Sequence, residues 1–210
     1  MEFKIEKTEI YGLSKSIIAS GNAMRTKMDP NDVDIFDKNS VFLYTKDFKR
    51  ACALGNTGSG EGHDNFLNGV IVQFDLYAPL FMWKQLQRYH FLDFISSQST
   101  MHRLTEFNIK EQCVEDTDKI ILERYQELLN DYNDNKGMTI SADEDKKKWR
   151  TLVASLPCGF VLGATMTTNY RQLKTIYNQR KHHKLKEWHD FCEWCESLPL
   201  FKELCLQRGE

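Results

Sequence analysis

The sequence predicts an α+β fold, an irregular α/β arrangement in which a central, mostly antiparallel sheet is packed with helices. Three observations predict it. Residues 70–78 alternate as a strand does, with Val70, Val72, Phe74 and Leu76 on one side and Ile71, Gln73, Asp75 and Tyr77 on the other. Residues 118–133 carry Ile121, Leu122, Tyr125, Leu128, Leu129 and Tyr132 at helical spacing. Strands and helices then follow one another without the regular alternation of a parallel doubly wound sheet. At 210 residues the chain suffices for one substantial core and is short for two, so one domain over residues 1–210 is expected.

The elements are justified in order. Phe3 and Ile5 alternate with Lys4 and Glu6, which suggests a first strand over residues 1–10. Residues 12–40 are polar and turn-rich and read as loop or short helix. Lys46 to Leu54 reads as a short helix closed by Gly55. Gly55 to His63, GNTGSGEGH, is a glycine-dense loop. After the strand at 70–78, Pro79 suits the first turn of a helix running to about His90. Residues 91–104 give no clear period. Asp118 to Asn133 is the amphipathic helix, and Asn133 to Thr139 a turn. Ser141 and Glu144 have capping-box spacing for a helix ending near Leu156-Pro157. Phe160 to Thr168 reads as a strand, and Asn169–Arg180 and Lys184–Glu196 as the last two helices.

Composition narrows the function. Hydrophobic residues make up 41% and charged residues 28%, an ordinary globular balance. A formal net charge of −2 argues against a nucleic-acid coat or a polybasic membrane binder. No apolar run approaches the roughly 18 residues of a membrane span, and the N-terminal stretch has no apolar leader core. The six cysteines (52, 113, 158, 192, 195 and 205) are scattered, as in a reduced cytoplasmic protein, with no disulfide framework.

Two helical stretches carry polar groups on faces expected to be buried. Gln85 and Arg88 are three residues apart. Asn169 and Arg180 are eleven apart, about 20° out of line at 3.6 residues per turn, with Leu173 and Ile176 on the same stripe. An amide and a guanidinium on an apolar stripe are costly unless something polar meets them, and an anionic planar ligand such as a nucleotide would do so. An internal ion pair to a helix carboxylate is the bland alternative for each arginine.

Other motifs carry less. The glycine loop lacks the GK[ST] of a phosphate-binding Walker loop, and its G-x-G-x-G precedes a strand rather than following one, so it reads as a flexible turn or as a close approach to a cofactor with His63 at its end. Cys192 and Cys195 form a C-x-x-C inside a predicted helix with no second pair; no metal site is expected, and Trp188, Cys192 and Cys195 should pack on one side. The basic run from Arg180 to Lys186 reads either as a solvated helix end or as a lid over an anion. Lys146 to Lys148, beside Asp143, Glu144 and Asp145, reads as a charged face. A thiol nucleophile has no evident base; Cys158 is the least implausible candidate.

Taken together, the ordered segments resemble the flavin-dependent thymidylate synthases. Gly62-His63 resembles the start of that family's G-H-x-x-x-x-E-H. Ala78-Pro79-Leu80-Phe81 is similar to its A-P-[IL]-F, and Gln85-x-x-Arg88 matches its R-Q-x-x-R-H-R at the glutamine and the arginine that opens R-H-R. Leu156-Pro157, Thr167-x-Asn169-x-Arg171-x-Leu173 and Arg180 follow in family order. The resemblance spans about residues 60–190. The chain departs from the pattern in several places: R-H-R reads Arg88-Tyr89-His90, the E-H reads Asn68-Gly69, S-x-R-Y is represented only by Ser99 to Arg103, an expected arginine falls at Val153, and A-Q-x-E reads Leu185 to Trp188.

The resemblance implies a thymidylate synthase-complementing-protein-like fold and a methyltransferase that makes dTMP from dUMP with FAD, using NADPH and methylenetetrahydrofolate. It implies flavin contacts from His63, Arg88 and Asn169, and nucleotide contacts from Gln85, Ser99, Thr100, Arg103 and Arg180. Arg180 would also be catalytic, holding and polarising the pyrimidine ring. It implies a homotetramer whose sites draw on several subunits, and no enzyme thiol in the methyl transfer. The broken signature keeps two other readings open: flavin- or folate-dependent modification of another pyrimidine nucleotide, such as hydroxymethylation, and a non-catalytic relative that binds a nucleotide or protein.

Overall fold

The computed structural model describes residues 1–27, 46–58, 61–135 and 141–206. Parts of the expected loop at 12–40, of the glycine segment and of the turn at 133–139 lie outside the described residues. The described chain runs β1 (Lys4–Tyr11), α1 (Leu13–Ala19), a 3-10 turn (Asn22–Met24), α2 (Lys46–Gly55), a 3-10 helix (His63–Gly69), β2 (Ile71–Pro79), α3 (Leu80–Leu86), β3 (Asp93–Ser97), α4 (Thr100–Arg103), a 3-10 turn (Leu104–Glu106), α5 (Ile109–Gln112), α6 (Lys119–Asn135), α7 (Ala142–Ala154), β4 (Val161–Asn169), α8 (Tyr170–Arg180), α9 (Lys186–Ser197) and α10 (Phe201–Cys205). The four strands form one antiparallel sheet in the order β1-β2-β4-β3. This is the α+β class that the sequence predicts.

The central pair β2 and β4 sets the register. The Tyr170 N–H donates to the Val70 carbonyl at 3.0 Å, and the Leu80 N–H donates to the Phe160 carbonyl at 3.0 Å, so the strands run in opposite directions with Asp75 across from Thr165. Val72, Phe74, Leu76 and Ala78 are buried and Ile71, Gln73, Asp75 and Tyr77 half-buried, the alternation expected of a sheet with one covered face. Each of the two strands passes directly into a helix, β2 into α3 and β4 into α8. That arrangement puts the sequence-singled residues at strand–helix junctions and helix ends.

Packing divides into two compact units. The first comprises Met1–Lys4, Asp75–Arg88 and Phe94–Thr165. Its core is Leu104, Ile109, Cys113, Tyr125, Leu129, Tyr132, Leu152 and Phe160. Each such side chain, fully buried, contributes about 1.5–3 kcal/mol. Asp118 caps α6 through the Ile120 N–H (2.8 Å), and Ser141 caps α7 through the Glu144 N–H (3.3 Å), as the capping-box spacing predicts. One residue assigned to the apolar side of α6 is misplaced: Ile121 is 51% exposed, because the buried stripe runs through Tyr125, Leu129 and Tyr132 and it is the neighbouring Leu122 that packs against the core.

The second unit comprises Ile5–Phe74, Tyr89–Asp93 and Met166–Glu210. Tyr170, Leu173, Ile176, Trp188, Phe191 and Phe201 are fully buried in it. The Tyr170 hydroxyl donates to the Pro199 carbonyl at 2.7 Å, and its ring meets Phe201 edge-on. Trp188, Cys192 and Cys195 share the buried side of α9, as their spacing predicts. Gly12 joins β1 to α1 with φ +73°, and a Cβ there would lie 2.5 Å from the Gly69 carbonyl oxygen, so only glycine fits.

Two expectations about the segment after β2 are corrected. The helix stops at Leu86 rather than near His90. Its last turn tightens through Arg88 N–H to Gln85 O (3.4 Å), and Phe91 adopts φ +61°, which no helix continues through. Arg88 is therefore exposed beyond the helix instead of lying on a buried face, while Gln85 is half-buried in the last turn.

Candidate functional site

Asn169 ends β4 and caps α8: its side-chain oxygen accepts the Gln172 N–H at 2.9 Å. That cap alone stabilises the helix by about 1 kcal/mol and accounts for a buried amide at this junction. From it α8 runs with Leu173 and Ile176 fully buried, the stripe expected from the sequence, and ends at Arg180.

Arg180 is gripped by aromatic groups of the same unit. Its Nε donates to the Tyr89 hydroxyl at 2.6 Å. Its guanidinium carbon lies 4.5 Å from the centre of the Trp188 ring and 5.5 Å from that of Tyr89. Tyr89 and Trp188 meet edge-on at 6.2 Å. Contacts of this kind attract a cation to the ring face and hold its plane. His183 stands edge-on to Trp188 at 6.1 Å. Burial lowers its pKa, and the nearby Arg180 and His189 lower it further, so the proton it would carry is disfavoured beside the guanidinium.

His63 opens the 3-10 helix after Gly62, which has φ +79°, and is exposed. The next residue, Asp64, is 4% exposed and accepts from two cations on α8: Arg171 Nε at 3.0 Å on one oxygen and Lys174 Nζ at 3.0 Å on the other. Lys174, 5% exposed, also donates to the Gly55 and Thr57 carbonyls at 2.8 and 3.0 Å. One buried ammonium thus ties the start of the glycine segment to the 3-10 helix.

In the other unit, Gln85 and Arg88 lie at the end of α3. Arg88 has no ion pair among the described residues and is exposed. Ser99 caps α4 by accepting the His102 N–H at 3.3 Å, and Thr100 opens that helix. Arg103 is exposed and paired with Glu106 at 2.7 Å. A cleft of about 200 Å³ opens on this unit, lined by Asp75, Tyr77, Ser96, Ser97, Gln98 and Thr165. Gly163 and Ala164 also line it, and at Gly163 a Cβ would come within 2.8 Å of the Tyr77 ring. Thr165 donates to Asp75 at 2.6 Å, and the Gln98 side-chain oxygen accepts the Gly163 N–H at 2.8 Å.

The structure therefore brings Arg180 together with Tyr89 and Trp188, residues that the sequence reading did not join to it, and Asp64 together with Arg171 and Lys174. Arg171 and Arg103 are paired with carboxylates, Asp64 and Glu106, whereas Arg88, for which an internal ion pair was the bland alternative, has none among the described residues. Asp64, Tyr89, Trp188 and Asp75 were missed as site candidates. For Asp64 the one available signal was an acid next to the singled-out His63. Among the described residues no group of three or more His, Cys, Asp or Glu could hold a metal ion, and no helix is long and apolar enough to cross a membrane.

No family model and no curated protein sequence matches the chain. Solved structures do. Two of them are the flavin-dependent thymidylate synthase ThyX from Helicobacter pylori, each with FAD and dUMP. One is 16% identical with a TM-score of 0.67 over 99% of this chain and 100% of that one. The other is 16% identical with a TM-score of 0.64 over 99% and 98%. The chain has the ThyX fold. A UMP/dUMP methylase, PolB from Streptomyces cacaoi, bound to 5-Br dUMP, is similar too, at 14% identity and a TM-score of 0.62 over 97% of this chain and 94% of that one. The match runs end to end, so the ThyX fold includes β1 and α10, outside the span over which the sequence resembles that family.

Proposed function

We propose that the chain is a flavin-dependent methyltransferase that converts dUMP to dTMP, with FAD as cofactor and NADPH and methylenetetrahydrofolate as co-substrates. The observation that carries this reading is the grip on Arg180 within an end-to-end ThyX fold. A guanidinium held by a phenol and an indole face is a fixed cation in a partly dry site. Such a group stabilises negative charge as it develops on a pyrimidine carbonyl, and it needs no reorganisation to do so. Gln85, Ser99, Thr100 and Arg103 would contact the nucleotide.

What supports FAD as the cofactor is the likeness to structures that hold FAD. Arg88 and His63 are exposed polar side chains at element ends, and Arg88 offers charge to a phosphate-bearing group. With Asn169 they would hold the flavin, which when bound supplies the redox chemistry. The chain's own residues bind and orient the nucleotide and exclude water from it. Five of the six cysteines are buried or half-buried, and a cytoplasmic location and a reaction with no enzyme thiol belong to this reading.

A homotetramer of single-domain subunits completes this reading. What supports it is an edge strand, β3, that leaves Phe94 and Ile95 about half exposed. An open apolar edge is a hazard that a second subunit removes. A second reading, in which another pyrimidine nucleotide such as UMP is modified, draws support from the likeness to the UMP/dUMP methylase PolB, while hydroxymethylation in place of methylation rests on the broken signature. The test is an absorption spectrum of the purified protein for bound flavin, followed by product masses after incubation with dUMP, UMP or dCMP and the two co-substrates. A colourless protein that takes up no FAD on titration refutes both readings. A mass gain on UMP or dCMP alone refutes the first.

A further inference from the structure

We infer that Tyr89 is a positioning residue that fixes the orientation of Arg180 for its nucleotide, an assignment that rests on the function proposed above. Four observations, all within one unit, carry it. Nε carries a single N–H, and that donor is spent on the Tyr89 hydroxyl at 2.6 Å, short for a nitrogen donor. Because Nε lies in the guanidinium plane, this bond sets how the plane is turned. The Trp188 face at 4.5 Å sets its tilt. Trp188 is fully buried and stacked edge-on against Phe191 at 5.6 Å, so it is a rigid wall.

The chemistry of the clamp matters as much as its geometry. Both groups are neutral, so they orient the guanidinium without cancelling its charge; a carboxylate in the position of the phenol would do the first and undo the second. A loose arginine has several rotatable bonds to freeze when a ligand arrives, and a clamped one has fewer. Tyr89 is one of the two residues, with His90, by which this chain departs from R-H-R. The departure at Tyr89 therefore reads as a change in how Arg180 is held.

The test is a double-mutant cycle read by calorimetric titration of the FAD-loaded protein with dUMP. Tyr89→Phe removes one oxygen and is expected to weaken dUMP about tenfold, which is about 1.4 kcal/mol, with FAD absorbance and thermal midpoint unchanged. Arg180→Lys has no Nε–H for the phenol to accept, so in that background Tyr89→Phe is expected to change affinity less than twofold. Additive losses, or a Tyr89→Phe protein that binds dUMP as the wild type does, overturn the assignment while leaving the proposed function standing. A wild-type protein that binds FAD but not dUMP overturns both. Should Tyr89→Phe fail to fold, Tyr89→His is read in the same cycle: non-additive losses support the assignment and additive ones overturn it.

Discussion

Asp64 is the residue on which the glycine segment and α8 depend, and replacing it with alanine should be among the most damaging single changes in the chain. Asp64 and Lys174 are both about 95% buried. The ammonium donates to Asp64 and to the Gly55 and Thr57 carbonyls, three acceptors for three hydrogens. Asp64→Ala leaves that charge buried with two carbonyls and no counterion. Breaking a buried pair from one side costs about 3–5 kcal/mol. The bond to Arg171 adds little, since that side chain is 34% exposed and solvent screens it; pairs of that kind are worth about 0–1 kcal/mol. In a chain of this size each kcal/mol moves the thermal midpoint by about 2–4 °C. A fall of roughly 6–20 °C follows for a loss of about 3–5 kcal/mol.

Urea unfolding followed by circular dichroism measures the loss directly. Asp64→Asn keeps an oxygen for Lys174 and removes the charge, so its loss should fall between those of Asp64→Ala and Arg171→Ala, with Arg171→Ala costing about 1 kcal/mol or less. An Asp64→Ala protein within about 1 kcal/mol of wild type refutes the reasoning, as does an Arg171→Ala protein as unstable as Asp64→Ala. Because the same ammonium anchors Thr57 and its partner carboxylate follows His63, the proposed flavin contact should loosen as well, and Asp64→Ala should retain less FAD than Arg171→Ala.

Other consequences follow from the remaining elements. Arg180→Ala should abolish dUMP binding by titration while leaving the assembly state unchanged in light scattering; unchanged affinity would remove Arg180 from the site. Arg88→Ala should release FAD more readily on dilution, read from flavin fluorescence, without lowering the thermal midpoint, since Arg88 is exposed and unpaired among the described residues. Lys202 and the Tyr177 hydroxyl hold the Glu196 carboxyl below its ordinary pKa. A depressed carboxylate stabilises the fold fully above its unfolded value and loses that contribution as pH falls through the folded one. The stability gap between wild type and Glu196→Gln should therefore be widest above about pH 5 and narrow toward pH 3; a constant gap would refute this. Burial pushes the Cys113 and Cys192 thiols up to about 11. A thiol reagent at pH 8 should therefore label exposed Cys158 first, and peptide mass mapping checks it.

How much of this was legible in the sequence depended on whether a residue's role was local. β2 declared itself because its covered face alternates with period two, and α8 because Leu173 and Ile176 share a stripe with Asn169. Ser141 was readable because a capping box closes within four residues. β3 was not readable: all five of its residues are exposed, and its two apolar residues, Phe94 and Ile95, are adjacent rather than alternate. An edge strand is held by backbone bonds that leave no side-chain period. The extent of α3 was misread because what stops it is a left-handed backbone at Phe91, a position where nothing in the residue type announces it.

The site follows the same division. Arg180 and Asn169 stood out because a polar group on an apolar stripe is a local anomaly, visible from one helix alone. Their partners were hidden because they are distant in sequence: the Tyr89 hydroxyl meets an arginine 91 residues on, and Asp64 meets Lys174 110 residues on. A tyrosine after an arginine, or an aspartate after a histidine, carries no pattern of its own. Its meaning is conferred by the partner, and only the antiparallel pairing of β2 with β4, each feeding its own helix, brings the partner near. What a single sequence could supply was the half of each interaction that is expensive if left alone. The fold supplies the half that makes it affordable, and in this chain that second half includes Tyr89, a tyrosine where the resembled pattern has a histidine.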